Sequence, residues 1–232
     1  VALAVVTLTA LASTSVGVTW AIFSNRPTGE TNTFVAGTVS LSNNVAGACT
    51  VATSSANNMV PSGTATCTLA TTYSGTLPGF MAVDVFIATK KDTTAGGGSA
   101  TNLYNPGDGN TAQITVSSTT PTVSSYAIPT TSSACPASGL DGVNYSSYHL
   151  CYLLSNVLVA TTAFTSASPT VTFTTTVYLP TAQPNTYQGS SAVVVLAAHA
   201  VQSTGNAINC TAGGTSPTAG AVCTPAGTFS WG

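Results

Sequence analysis

A period of two, written mostly in Val and Thr, constrains this chain more than any other feature. Seven segments, at 34–42, 65–73, 80–89, 112–118, 149–164, 170–179 and 191–203, are rich in β-branched and aromatic residues. Clusters of Gly, Pro, Asn and Ser separate them, which is strand-and-turn punctuation. The clearest is TVTFTTTVYL at 170–179, where Val171, Phe173, Thr175 and Val177 fall on one face. Such alternation marks a strand with one face on a core, and stiff β-branched side chains pack well on a pleated surface. No stretch has convincing amphipathic helical spacing; only 149–164 has an opening that would accommodate a helical turn. The pattern predicts an all-β sandwich. AGGGSATNLYNPGDGNT (95–111) reads as a long flexible loop, and TAGGTSPTAGAV (211–222) as a second one pinned by Cys210 and Cys223. There is no fixed-period repeat and no dividing linker. The expected organisation is an N-terminal segment, 1–24, followed by one β-sandwich domain, 25–232.

Charge is nearly absent. Asp, Glu, Lys and Arg make up 3% of the 232 residues, against about 25% in an ordinary domain. The inventory is Arg26, Lys90, Lys91, Glu30, Asp84, Asp92, Asp108 and Asp141. Ser and Thr supply about 30% of the chain, well above common usage. With a net charge of −2, the chain is poorly served by the charge repulsion that keeps soluble monomers dispersed. A surface that is hydroxyl-rich, covered by partners or glycosylated suits an assembled extracellular polymer. Three basic residues exclude nucleic acid and anionic membrane surfaces as partners, because both need several cations on one face.

Six cysteines, Cys49, Cys67, Cys135, Cys151, Cys210 and Cys223, fall into three close pairs. Their clustering favours Cys49–Cys67, Cys135–Cys151 and Cys210–Cys223 bridges over free, buried thiols, and bridges belong to an oxidising compartment. None forms a CxxC pair and only two histidines exist, so zinc spacing is absent and no metal or cofactor is expected. The sequons at Asn144 and Asn209 agree with export. His149 and His199 are read as an ordinary loop-to-strand residue and a hydrogen-bonded or edge residue of a strand. No catalytic motif is present, and the five scattered carboxylates would make an acid–base pair only through tertiary proximity. Asn105-Pro-Gly-Asp-Gly-Asn110 holds one carboxylate, which makes it a turn rather than a calcium loop. An enzyme is not expected.

Residues 1–24 carry no charge and are mostly apolar. Three readings compete for them. A membrane helix needs about 20 strongly apolar residues, and Thr7, Thr9, Ser13, Thr14, Ser15 and Thr19 dilute this stretch. A signal-peptide remnant would ordinarily have a basic flank. A long buried strand fits the alternation of Val1, Leu3 and Val5 and the Val and Thr content further on. At about 3.3 Å per residue, 15 extended residues span about 50 Å, the width of a whole subunit.

Two sequence stretches resemble a known family. TWAIFSN (19–25) followed by TFVAGTVSL (33–41), and NTYQGS (185–190) followed by a strand ending Ala200-Val201-Gln202, resemble the opening and closing segments of TasA/camelysin-type proteins. The resemblance implies a jelly-roll-like β-sandwich that polymerises into biofilm-matrix fibres or bundling pili. It also implies donor-strand complementation, a form of β-augmentation: the N-terminal strand, with Val1, Leu3, Val5, Leu8, Leu11, Val16, Val18, Trp20 and Phe23, enters a neighbouring copy. The implied partner is the chain itself, with neighbouring filaments in bundles, outside the cell. Low charge and six cysteines depart from the family's habit. The alternatives are a type IV pilin-like subunit with residues 1–23 as a core helix, and a membrane-anchored adhesin or carbohydrate-binding module.

Overall fold

A computed structural model describes residues 24–25, 41–42, 49–52, 61–91, 102–168, 170–181, 190–204, 208–210 and 219–225. Among them are thirteen strands and no helix: β1 (Ser24–Asn25), β2 (Leu41–Ser42), β3 (Cys49–Ala52), β4 (Thr64–Tyr73), β5 (Gly79–Lys90), β6 (Gln113–Thr119), β7 (Thr122–Val123), β8 (Ser132–Ser133), β9 (Leu150–Leu158), β10 (Val171–Tyr178), β11 (Ser191–Gln202), β12 (Ile208–Cys210) and β13 (Cys223–Pro225). The fold is all-β. One sheet runs β1-β11-β5-β9-β8, with β3 also on β11; a second runs β2-β4-β10-β6-β7; β12 and β13 form a separate ribbon. Every ladder is antiparallel.

The two sheets meet over one core. Met81, Val83, Val85 and Ile87 of β5 and Val194, Leu196 and Ala198 of β11 face Leu69 and Tyr73 of β4 and Val171, Phe173 and Val177 of β10. The expected face of β10 is the buried one: Val171, Phe173, Thr175 and Val177 alternate with half-exposed Thr172, Thr174, Thr176 and Tyr178. β5 and β11 are buried on both faces, which is why their sequences are continuous apolar runs rather than alternations.

Three expectations change or narrow. The segment 149–164 opens as strand β9 with no helical turn, ends at Leu158, and returns through a bridge from Phe164 to Gly79. The described part of the 95–111 loop is a plug rather than a flexible connection. Leu103 and Tyr104 are buried in the core, the Leu103 carbonyl accepts the Ala112 N–H at 2.8 Å, and the Tyr104 hydroxyl donates to the Pro129 carbonyl at 2.9 Å. Of the 34–42 strand, only Leu41–Ser42 lies within the described residues.

The outer face of the larger sheet is covered as well. A strap, 134–148, packs Tyr145 against Phe86 with ring centroids 4.9 Å apart, joined by Val193, Val195 and Cys151. A Cβ at Gly139 would stand 2.5 Å from the Tyr145 ring, so only glycine lets the strap lie this close. Farther along the same face, Leu158 packs with Ile208 and Cys223 of the β12–β13 ribbon.

Candidate assembly interface

The two sheets share one distinctive flank, bordered by β4 and β11. The described residues among the first 52 all pair on this flank. β1 pairs with β11 at Ala200 and Val201, β3 pairs with β11 over Ser191–Val194, and β2 pairs with β4 at Thr72 and Tyr73. β2 also approaches β11, and β3 approaches β4, so both edges lie on the same side of the sandwich. Val195–Ala198, between the β3 and β1 pairings, have no strand beside them on this flank among the described residues. The inward row of β4 is graded: Leu69, Thr71 and Tyr73 are buried, whereas Ala65 and Cys67 are half-buried though packed against the core. A core edge that thins in this way accepts further apolar side chains, and sheet edges bordering it offer backbone ladders.

The predicted donor residues Val1, Leu3, Val5, Leu8, Leu11, Val16, Val18, Trp20 and Phe23 lie outside the described residues. The segment's last residue, Ser24, is described, and it stands opposite Val201 at this same flank.

The disulfide Cys135–Cys151 is present, joining the strap to β9. Cys67 and Cys223 are also disulfide-bonded. Cys223 stands opposite Cys210 in the β12–β13 register, whereas the side chains of Cys49 and Cys210 lie outside the described residues. Asn144 is exposed, and its side-chain oxygen accepts the Ser146 N–H at 2.8 Å. Asn209 lies in β12, its side chain outside the described residues.

One pair of titratable groups comes together that no motif announces. Asp84 of β5 and His199 of β11 point to the outer face, both buried, with Oδ1 3.4 Å from Nε2. The same Oδ1 accepts the Asn156 N–H at 2.8 Å. Asn156 has φ 65° and sits where the β5–β9 register shifts between Val83 and Val85, so the carboxylate holds a β-bulge. His149 is exposed at the start of β9, its N–H on the Thr89 carbonyl at 3.0 Å. Asp108 caps the expected turn by accepting the Asn110 N–H at 2.9 Å. No group of three potential metal ligands occurs among the described residues. No described helix is long and apolar enough to cross a membrane. The chemistry this arrangement supports is backbone pairing and apolar burial at the β4/β11 flank.

Comparison with family models, curated proteins and solved structures returns no match.

Proposed function

We propose that this chain is the structural subunit of an extracellular filament, and that residues 1–24 of one copy complete the β4/β11 flank of the next. One observation carries the reading: on that flank the inward row of β4 thins from buried Leu69 to half-buried Cys67 and Ala65, a core edge that takes further apolar side chains. An uncharged, Val- and Thr-rich segment is suited to such a place. Its side chains would face the half-buried end of the core at Ala65 and Cys67, and its backbone would ladder with β4 or β11. Disulfides and a nearly charge-free surface suit a secreted polymer better than a diffusing catalyst. The resemblance to TasA/camelysin-type fibre subunits points to the same mechanism and to a jelly-roll-like sandwich.

The test is removal of residues 1–18. The shortened chain folds, with the β-sheet circular dichroism of the full chain, but stays monomeric in sedimentation. Electron microscopy of the full chain shows filaments. Normal filaments from the shortened chain would sink the proposal, and a helical dichroism band from about 20 residues in native filaments would favour a helix-cored pilus instead.

A further inference from the structure

The outward face of the second sheet is dominated by hydroxyls, with Ala70 and Gln113 at its margins. On β4 it presents Thr64, Thr66 and Thr68; on β10, Thr172, Thr174 and Thr176; on β6, Thr115 and Ser117. The register places them in rows: Thr68, Thr174 and Ser117 lie side by side, as do Thr66, Thr176 and Thr115. Both ladders run without a bulge across this region. None of these strands carries a charged residue. The flanking threonines are exposed and the central ones half-exposed, so no described residue of the subunit covers the face.

We infer that this face docks against the same face of a second copy of the chain, side by side in neighbouring filaments; the inference rests on the filament reading above. Three properties choose that occupant. A hydroxyl both donates and accepts, so an array of them is complementary to itself, and an uncharged array meets its own copy without repulsion. Threonine is stiff about χ1 and loses little freedom when covered, unlike the long side chains common on surfaces. The sheet is twisted by roughly 20–25° per strand, which spoils registry with a flat crystalline lattice, whereas two copies of one twisted sheet pack face to face at about −30°.

Area decides when docking occurs. Three strands about 4.8 Å apart and seven residues long cover roughly 340 Å². A stable pair needs about 800 Å² from each partner. Isolated subunits therefore separate, and the contact holds only where filaments present many copies in line, each binding event raising the effective concentration of the next.

The experiment uses the full chain and its variant T68E/T115E, which puts two like charges on every copy of the face. Wild-type filaments associate laterally in electron micrographs and pellet at low speed, to the same extent in dilute buffer and in 0.5 M salt. Variant filaments form normally but run singly, with side-by-side length reduced at least tenfold, and salt that shortens the screening length to roughly 4 Å restores part of the association. T68S/T115S, which keeps the hydroxyls, behaves as wild type and shows that the positions tolerate change. Wild-type filaments that never associate, or charged filaments that associate normally, would overturn the inference and leave the filament reading intact. Absence of any filament overturns that reading instead. In that case light scattering of the unassembled chain decides: weaker mutual attraction in T68E/T115E than in wild type supports the face, and equal attraction overturns it.

Discussion

Asp84→Ala removes the one buried carboxylate among the described residues, which holds the β5–β9 bulge. In the folded chain Asp84 is 3% exposed, its Oδ1 accepts the Asn156 N–H at 2.8 Å, and the same atom lies 3.4 Å from His199 Nε2. Alanine removes the acceptor without filling the space. The Asn156 N–H then has to find another acceptor under the sheet's outer cover, and a hydrogen bond to a charged group contributes about 1.5–3 kcal/mol. For a chain of this size each kcal/mol lowers Tm by roughly 2–4 °C, so the expected loss is roughly 3–12 °C.

Guanidinium unfolding at neutral pH, followed by β-sheet dichroism, measures the cost. Hydrogen exchange at the Asn156 amide reports the bulge directly. Asp84→Asn keeps an oxygen acceptor and should lose about 1–2 kcal/mol, with Asn156 still protected. Combining either change with His199→Ala in a double-mutant cycle gives the coupling between the two side chains. If Asp84→Ala unfolds within 1 kcal/mol of wild type, or leaves Asn156 exchange unchanged, the carboxylate does not hold the bulge and the reasoning fails.

Replacing Cys135 and Cys151 together by Ala opens a bridge with a sequence separation of 16. The chain-entropy relation gives about 3 kcal/mol for a loop of that size, read as a lower guanidinium midpoint, and a loss under about 1 kcal/mol would show that the strap is held by Tyr145 packing alone. Alkaline titration provides a separate check, because burial pushes the phenols of Tyr73, Tyr104 and Tyr126 up to about 12, with Tyr152 adding to the rise at Tyr104 and the Ser118 hydrogen bond easing it at Tyr126. Their folded pKa lies above the ordinary value of 10, so the neutral phenols' stabilisation is intact below pH 10 and is lost as the pH climbs through 12; tyrosinate absorbance rising in a single step near pH 10 would refute it.

The strands that the sequence shows best are those whose burial is simplest. β10 alternates because one face is core and the other solvent, and β4, β5, β6 and β11 begin and end within a residue or two of the segments that residue type alone marks out. The stretch 120–148, which ends in the strap, is not legible, because it has no period and its anchoring comes from single aromatic side chains. Tyr126 is fully buried against Phe173, with its hydroxyl 2.8 Å from that of Ser118, yet its neighbours are ordinary loop residues. The bulge at Asn156 leaves one faint mark, an asparagine, the residue type that best tolerates positive φ after glycine. The Asp84–His199 pair leaves none, since two outward positions on adjacent strands become neighbours only through the β5–β11 register. At the proposed interface the donor's apolar pattern is visible in residues 1–24, whereas the accepting flank depends on which edges the topology places together.

The scarcity of charge acquires a meaning once the carboxylates are placed. Each of the three described ones accepts a backbone N–H: Asp84 from Asn156, Asp108 from Asn110, and Asp141 from Val143 at 3.1 Å, with the Tyr145 hydroxyl also donating to Asp141 at 2.7 Å. These carboxylates fix a bulge, a turn and the strap's loop, and an acceptor of this kind is strong because it is ionised. They do little to disperse the molecule. Solvent is met instead by hydroxyls, which on the β4-β10-β6 face are arranged in register. A surface of that kind carries little electrostatic penalty for meeting its own copy, and the β4/β11 flank lies at the edge of the same sheet. The two proposed contacts therefore use different parts of one sheet, edge and face. Removing residues 1–18 should abolish filaments without altering the face, and charging the face should separate filaments without shortening them.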